Sequence, residues 1–330
     1  MNNKNFKALE IKEVDNEFKR NIINKEVNQL PEGDLLIRVE YSSLNYKDAL
    51  SAIGNKGVTR EYPHTPGIDA AGTVVEDKSN RFQKGDKVIV TGYDFGMNTD
   101  GGFEEYIRIP SEWAVKLPEN LTLKETMIYG TAGFTAALSV HKLLEADIPG
   151  NNILVTGPSG GVGSFACSIL AKKGYEITAA TGKTEAKEYF QSLGVKEIIS
   201  RSEVDDDSGR MLLKEKWDGV IDTVGGNMLA TAIKSTKYAG AITCCGNVAS
   251  ADLPINVYPF ILRGVSLLGI DSVQCKKELR EEIWHKLSSD WKIEHLDKLA
   301  KEITLDEISS YIDKMLAGDS KGRIIINLGE

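Results

Sequence analysis

The sequence predicts an α/β protein, in which a doubly wound parallel sheet follows a compact β-rich domain. Three observations carry that prediction. First, an apolar run, Ile153-Leu154-Val155, leads into the turn Thr156-Gly157-Pro158-Ser159-Gly160-Gly161-Val162-Gly163-Ser164. That turn opens a segment with Val162, Phe165, Ala166, Ile169 and Leu170 at helical spacing. Second, strand and helix patterns alternate from there to about residue 270, which implies parallel strands joined by right-handed crossovers. Third, the first 120 residues hold short strand-like runs with turn signals between them and little helix, a barrel-like pattern.

In order, the β-rich part predicts strands at 35–41, 71–75, 87–90 and 103–109, with turns at 31–34, 84–86 and 100–102. From about Leu123, the spacing of Met127, Ala132, Ala136, Val140, Leu143 and Leu144 predicts a long helix leading into Ile153. Gly174 stops the helix after the glycine-rich turn. Strands follow at 175–181, 197–199, 219–222, 241–245 and 265–270, with helices at 185–193 and 228–236. Helices at 277–287 and 305–316 and a strand at 323–326 close the chain. Asp205-Asp206-Asp207 reads as a solvated loop.

Composition sets the outer limits. At 330 residues the chain exceeds the usual size of one hydrophobic core, so two domains are expected. Its 41% hydrophobic and 27% charged content is that of an ordinary globular protein. It holds no apolar run of membrane-spanning length (about 18 residues). Met1-Asn2-Asn3-Lys4-Asn5 lacks the apolar stretch of a secretory signal. Cys167, Cys244, Cys245 and Cys275 suggest reduced thiols rather than a disulfide framework, so a cytoplasmic location is expected. A net charge of −8 argues against general nucleic-acid binding but leaves room for an anionic ligand at a local cluster of cations.

Strand, glycine-rich turn and helix together form the context of a phosphate cradle. Glycine lets the backbone approach a pyrophosphate, and the free N–H groups of the first helical turn point at it. The pattern here, Gly-x-x-Gly-Gly-x-Gly, departs from the common Gly-x-Gly-x-x-Gly, and tight turns also require glycine for steric reasons alone. The next strand identifies the nucleotide. An NAD site places Asp or Glu near its tip to bind the ribose 2′-hydroxyl, whereas this strand ends in Ala179-Ala180-Thr181-Gly182-Lys183. A hydroxyl and an ammonium suit a 2′-phosphate, and Arg201 beyond the following strand adds a second cation. The nearest acid, Glu185, falls in the first turn of the next helix, where it can cap. NADPH is therefore expected rather than NADH.

Metal and hydrolytic chemistry find little support. Catalytic zinc needs three Cys, His or carboxylate ligands, yet residues 1–166 contain no cysteine and only His64 and His141. His64 reads as a turn residue and His141 as helical, while His285 and His295 are scattered. Cys244 and Cys245 are neighbours in a strand and point to opposite faces. No Gly-x-Ser-x-Gly elbow is present.

Several motifs carry a family resemblance. Pro63-His64-Thr65-Pro66-Gly67-Ile68-Asp69-Ala70-Ala71-Gly72, Phe82-Gln83-Lys84-Gly85-Asp86-Lys87-Val88 and Gly101-Gly102-Phe103-Glu104-Glu105-Tyr106 occur in that order. With Gly130-Thr131-Ala132-Gly133-Phe134-Thr135-Ala136 and the glycine loop, they resemble the medium-chain dehydrogenase/reductase superfamily. Ser42-Ser43-Leu44-Asn45-Tyr46-Lys47-Asp48-Ala49-Leu50 and the stretch from Tyr258 to Val273 are more specific. They resemble the zinc-independent, quinone-oxidoreductase-like branch that contains acryloyl-CoA reductases and the YhdH/YhfP proteins. Where zinc-dependent relatives carry a ligating Cys and a Gly-His-Glu, this chain has Leu44-Asn45-Tyr46 and Gly67-Ile68-Asp69.

The resemblance implies a GroES-like catalytic domain at 1–124 and 271–330 and an NADPH-binding Rossmann domain at 125–270. It places cofactor contacts on Tyr46, Ser159, Gly160, Gly161, Val162, Thr181, Gly182, Lys183 and Arg323, and it suggests a homodimer. It also implies reduction of an activated alkene. In acryloyl-CoA the thioester carbonyl makes the β-carbon electrophilic, so hydride goes there and a proton goes to the α-carbon. No metal is needed if hydrogen-bond donors meet the developing oxyanion. Asn45 and Tyr46 are the candidate catalytic residues, Tyr46 either delivering the proton or packing against the nicotinamide. Lys56 and Arg60 either meet CoA phosphates or form a solvated loop. Alternatives are a quinone or α,β-unsaturated ketone reductase and, from another class, an NADPH-binding regulatory or structural protein with little turnover.

Overall fold

The computed structural model describes residues 4–320 and 322–329; Met1, Asn2 and Asn3, on which the expectation of no secretory signal partly rests, lie outside them. In chain order the elements begin β1 (Asn5–Val14), β2 (Glu17–Glu26), β3 (Leu35–Leu44), α1 (Tyr46–Ser51), β4 (Asp69–Asp77), β5 (Lys87–Thr91), β6 (Tyr106–Ile109) and β7 (Ala114–Lys116). The middle comprises α2 (Leu123–Glu145), β8 (Asn152–Thr156), α3 (Gly161–Lys172), β9 (Glu176–Thr181), α4 (Lys187–Ser192), β10 (Glu197–Ser200), β11 (Trp217–Asp222), α5 (Gly226–Ser235), β12 (Thr236–Cys244), α6 (Tyr258–Arg263) and β13 (Ser266–Gly269). The chain ends with α7 (Lys277–Ser288), β14 (Ala300–Thr304), α8 (Ile308–Leu316) and β15 (Arg323–Asn327).

These elements form two compact units. Met1–Thr131, Val273–Ser288 and Glu294–Glu330 make the first, and Ala132–Ser272 with Ser289–Ile293 the second.

In the first unit, β14-β15-β3-β4-β5-β7 form one sheet with β6 added beside β3. Apart from the parallel β14–β15 pair, the neighbours run antiparallel. Inward residues of these strands, among them Ile37, Val39, Val88, Val90, Ile107 and Ile326, share one core with Ile308 and Ile312 of α8. The hairpin β1–β2 has no counterpart among the sequence expectations. Its turn residues Asp15 and Asn16 have φ of 52° and 62°, the left-handed pair that a two-residue hairpin turn demands and that Asp and Asn tolerate. Phe6 and Ala8 of β1 bury against Leu36 and Tyr106. The strand expected over 103–109 is shorter, since Phe103 N–H turns away to donate to Pro66 O at 3.0 Å.

The second unit is a six-stranded sheet in the order β10-β9-β8-β11-β12-β13, with every neighbouring pair parallel. β8 starts the sheet in sequence yet lies inside it, so the strand order reverses between β8 and β11. In such sheets ligands bind outside the carboxyl ends of the strands at that switch point. Residues in β11 are buried throughout, as expected of a parallel strand covered on both faces. α5 ends at Ser235 and β12 begins at once, five residues before the strand expected at Ala241.

Candidate active site

In the first unit, Tyr46 sits where β3 gives way to α1. Asn45 is extended (φ −118°, ψ 160°) and caps the helix. Asp48, at the third helical position, accepts the Asn45 N–H at 2.7 Å, which pins the entry to the helix. The other oxygen of Asp48 accepts the Ile68 N–H at 2.9 Å. One buried carboxyl group therefore joins the segments Leu44-Asn45-Tyr46 and Gly67-Ile68-Asp69. Burial pushes Asp48 up to about 7, against the pull of the Asn45 N–H and with a push from Asp69. Tyr46 itself is 56% exposed.

The preceding residue, Asn45, belongs to a polar network centred on Asp69. Asp69 is fully buried and accepts Ser43 Oγ at 2.6 Å, Asn45 Nδ2 at 2.7 Å and Thr131 Oγ1 at 2.6 Å. It also accepts the Thr131 N–H, at 2.9 Å to Oδ2. That N–H turns toward Asp69 where α2 breaks at Gly130, whose φ is 50° and ψ −157°. A Cβ at Gly130 would lie 2.4 Å from Asp69 Oδ2, so only glycine fits.

Arg323 completes the network from the start of β15. Its Nε donates to Ile128 O at 3.1 Å, Nη1 to Asn45 Oδ1 at 3.1 Å and to Leu44 O at 3.4 Å, and Nη2 to Ser43 Oγ at 2.9 Å. Its Nη2 lies 3.8 Å from Asp69 Oδ2. Burial lowers the guanidinium from its ordinary value while Asp69 and Asp48 raise it. Both ends of the Asn45 carboxamide are thus engaged, one by Asp69 and one by Arg323.

The nearby lysine and arginine of the following loop differ from each other. Lys56 Nζ lies 3.7 Å from Glu13 and 4.7 Å from the centre of the Tyr62 ring, whereas Arg60 is exposed. His64, read as a turn residue, is buried, with Nε2 3.1 Å from Gly96 O. Among the described residues no group of three or more His, Cys, Asp or Glu is arranged to hold a metal ion.

In the second unit, the glycine loop follows β8 and Gly160 caps α3. Gly157 has φ of 61°, and a Cβ at Gly163 would lie 2.3 Å from Gly157 O, so the helix can approach the strand end only with glycine there. The N–H groups of Gly161 and Val162, at the start of α3, have no carbonyl of a preceding turn to meet and can serve an anion, whereas the Ser164 N–H is spent on Gly160 O at 3.0 Å. Ser159 and Gly160 lie on the accessible side of the turn.

Thr181 ends β9 beside that loop, since Ala180 pairs with Thr156. The buried Thr181 hydroxyl accepts the Lys183 N–H at 3.0 Å and turns the chain so that Lys183 is exposed. Thr181 also pairs with Ser200 of β10, which brings Arg201 to the same edge. A Cβ on Gly182 would lie 3.4 Å from Arg201 Nε. Among the described residues neither Lys183 nor Arg201 has an ion-pair partner. The Glu203 carboxylate is held on Ser200, accepting its N–H at 2.9 Å, which leaves two cations without ion-pair partners at this edge to meet a 2′-phosphate.

The network residues Ser43, Asp48 and Thr131 escaped sequence reasoning, and so did the role of Asp69. Asp69 was visible only as a departure from Gly-His-Glu, and the partners of Asp48 lie in other segments.

Comparison with known proteins agrees with this architecture. Residues 31–119 match the alcohol dehydrogenase GroES-like domain family, and residues 161–289 the zinc-binding dehydrogenase family. The chain is 39% identical over 327 residues to the acrylyl-CoA reductase AcuI of Ruegeria pomeroyi, covering 98% of this chain and 99% of that protein. It is 44% identical over 326 residues to YhfP of Bacillus subtilis, which carries a provisional quinone-oxidoreductase name, covering 98% and 99%. The crystal structure of YhfP with NAD bound superposes with a TM-score of 0.96, over 98% of this chain and 100% of that one. The YhdH oxidoreductase of Salmonella enterica in complex with NADP is 40% identical, with a TM-score of 0.94 over 97% and 99%. The chain therefore belongs to the medium-chain dehydrogenase/reductase superfamily of oxidoreductases, in the branch of YhfP, YhdH and AcuI, with a GroES-like and a Rossmann-type domain.

Proposed function

We propose that this protein is an NADPH-dependent, metal-independent reductase of activated carbon–carbon double bonds. The acceptor class is a 2-enoyl-CoA thioester, with acryloyl-CoA reduced to propanoyl-CoA as the leading reaction. The observation that carries this reading is the exposed Tyr46 phenol, held at the start of α1 by a buried network containing no metal-ligand cluster. Full-length similarity to an acrylyl-CoA reductase supports the acceptor. The unpaired Lys183 and Arg201 support NADPH over NADH, as do relatives solved with NADP and NADPH, although YhfP was solved with NAD.

We assign cofactor binding to residues 125–270 and acceptor chemistry to 1–124 with 271–330. When bound, NADPH supplies the hydride. Electron withdrawal by the thioester directs that hydride to the β-carbon and places negative charge on the thioester oxygen. In this reading the Tyr46 hydroxyl is the donor that meets this oxygen or protonates the α-carbon. Asn45, with both ends of its carboxamide engaged, acts through Tyr46 as a positioning residue. Arg323 does the same by holding Asn45.

A quinone or α,β-unsaturated ketone reductase is the second reading, favoured by the name of YhfP. A nucleotide-binding protein with little turnover is the third. We further propose a cytoplasmic homodimer. Supporting the dimer, β13 is an edge strand, and Val257, Ile261 and Leu262 beside it are more than half exposed. NADPH oxidation measured in parallel with acryloyl-CoA, crotonyl-CoA and a benzoquinone tests the function. Preference for the quinone overturns the acceptor, and tight NADPH binding without turnover of any acceptor overturns both enzyme readings.

A further inference from the structure

We infer that Asp222 is a positioning residue for nucleotide binding, locking the glycine loop and the β11–α5 turn into one preformed cradle. This rests on the cofactor reading above. Asp222 ends β11 at the switch point and is fully buried. Its Oδ1 accepts the Thr156 hydroxyl at 2.7 Å. Its Oδ2 accepts the Gly225 N–H at 2.8 Å and the Val224 N–H at 3.3 Å. The Thr156 hydroxyl oxygen in turn accepts the Thr223 N–H at 3.1 Å, and the Thr223 hydroxyl donates to Thr156 O at 3.0 Å. The main-chain carbonyl of Asp222 accepts the Cys245 N–H at 3.1 Å. The ends of β8, β11 and β12 and the start of α5 therefore meet on this residue.

Glycines hold the lock tight. A Cβ on Gly157 would lie 2.3 Å from Thr223 Oγ1, and one on Gly246 would lie 2.1 Å from Thr223 O. The turns leave no room to slide, so the hydrogen bonds fix where the glycine loop starts. Gly160 N–H is spent on Gly157 O at 3.1 Å, and α3 begins at the next residue. The lock thereby sets the direction in which the free first-turn N–H groups point. Burial raises the Asp222 carboxyl, and the Thr156 hydroxyl is the first group that pulls it back, so losing that hydroxyl is felt directly.

Thr156→Val removes the hydroxyl while keeping the branched shape, and Thr156→Ser restores it. NADPH titrations should show the valine variant binding about tenfold more weakly, the effect of one buried hydrogen bond, and the serine variant within twofold of wild type. At saturating NADPH, kcat of the valine variant should stay within threefold of wild type. In the nucleotide-free protein, amide hydrogen exchange in the valine variant should quicken together at 157–161 and 223–225 and not across the rest of the unit. Wild-type affinity in the valine variant, equal weakening in both variants, or exchange rising throughout the unit would each overturn the inference. If the wild-type protein binds no nicotinamide nucleotide, the cofactor reading fails; paired quickening of exchange would then keep the lock but overturn its assignment to nucleotide binding.

Discussion

Replacing Arg323 by Met takes a guanidinium out of a site where little else compensates for it. Asp69 stays fully buried and loses the cation 3.8 Å away, while Ile128 O, Leu44 O and Asn45 Oδ1 each lose a donor. Breaking a buried pair by removing one partner costs about 3–5 kcal/mol. Asp69 keeps donors from Ser43, Asn45 and Thr131, so the lower end, about 3 kcal/mol, is expected. For a unit of this size that corresponds to a fall of roughly 6–12 °C in Tm. The assay is urea and thermal unfolding of wild type, Arg323→Met, Asp69→Asn and the double variant. Because the double variant leaves no uncompensated charge, its loss should fall short of the summed single losses by about 1–3 kcal/mol. The resemblance also made Arg323 a cofactor contact, and the same proteins test that role. A direct contact weakens NADPH binding with little loss of stability, whereas the network predicts loss of stability and of kcat through Tyr46. An Arg323→Met protein within about 1 kcal/mol of wild type, or a cycle without coupling, would refute the reasoning.

Lys183→Glu puts a carboxylate where a 2′-phosphate should lie. NADPH binding should weaken ten- to hundredfold and NADH binding by less than threefold, and equal losses measured by fluorescence titration would exclude a 2′-phosphate contact. Tyr46→Phe should lower kcat with acryloyl-CoA by about a hundredfold at unchanged NADPH affinity; a loss under threefold would leave Tyr46 a packing role only. Asp48 gives a pH signature. Its folded value of about 7 lies above the ordinary 3.8, so the folded state holds a proton that the unfolded chain releases between those values. That contribution is fully present below about pH 4 and is lost as pH rises through 7, with an upper bound on the order of 4 kcal/mol. Asp48→Asn should flatten that part of the stability profile between pH 5 and 8. It should also lower stability at pH 5, because an amide cannot accept from both Asn45 and Ile68. An unchanged slope in urea unfolding across that range would show that Asp48 does not titrate there.

What could be read from the chain alone follows the range of the forces involved. The glycine loop, the strand–helix alternation and the cations after β9 are local patterns, and local patterns survive in sequence. The β1–β2 hairpin was also locally encoded, through Phe6, Ala8 and the Asp15-Asn16 turn. Its charged outward residues break up any apolar run and so mask the alternation. The network around Asp69 is of another kind. Asn45 reaches Asp69 across 24 residues, Thr131 reaches it across 62, and Arg323 reaches Asn45 across 278. No spacing rule links those positions; the sheet brings them together by pairing Ile324 with Leu44 and Ser42 with Ala70.

Two aspartates make the point most directly. Asp69 is the first residue of β4 and Asp222 the last of β11, and both are fully buried. In sequence each is an acid at a strand end, with nothing local to mark it as buried. What makes them different is the set of donors each gathers: Ser43, Asn45 and Thr131 for one, Thr156, Val224 and Gly225 for the other. A buried carboxylate without donors would be too costly to keep, so the donors had to arrive with the fold. In both cases one comes from a turn that only glycine permits, at Gly130 and at Gly225. A sequence displays such glycines and such acids separately, and the function of each depends on the other.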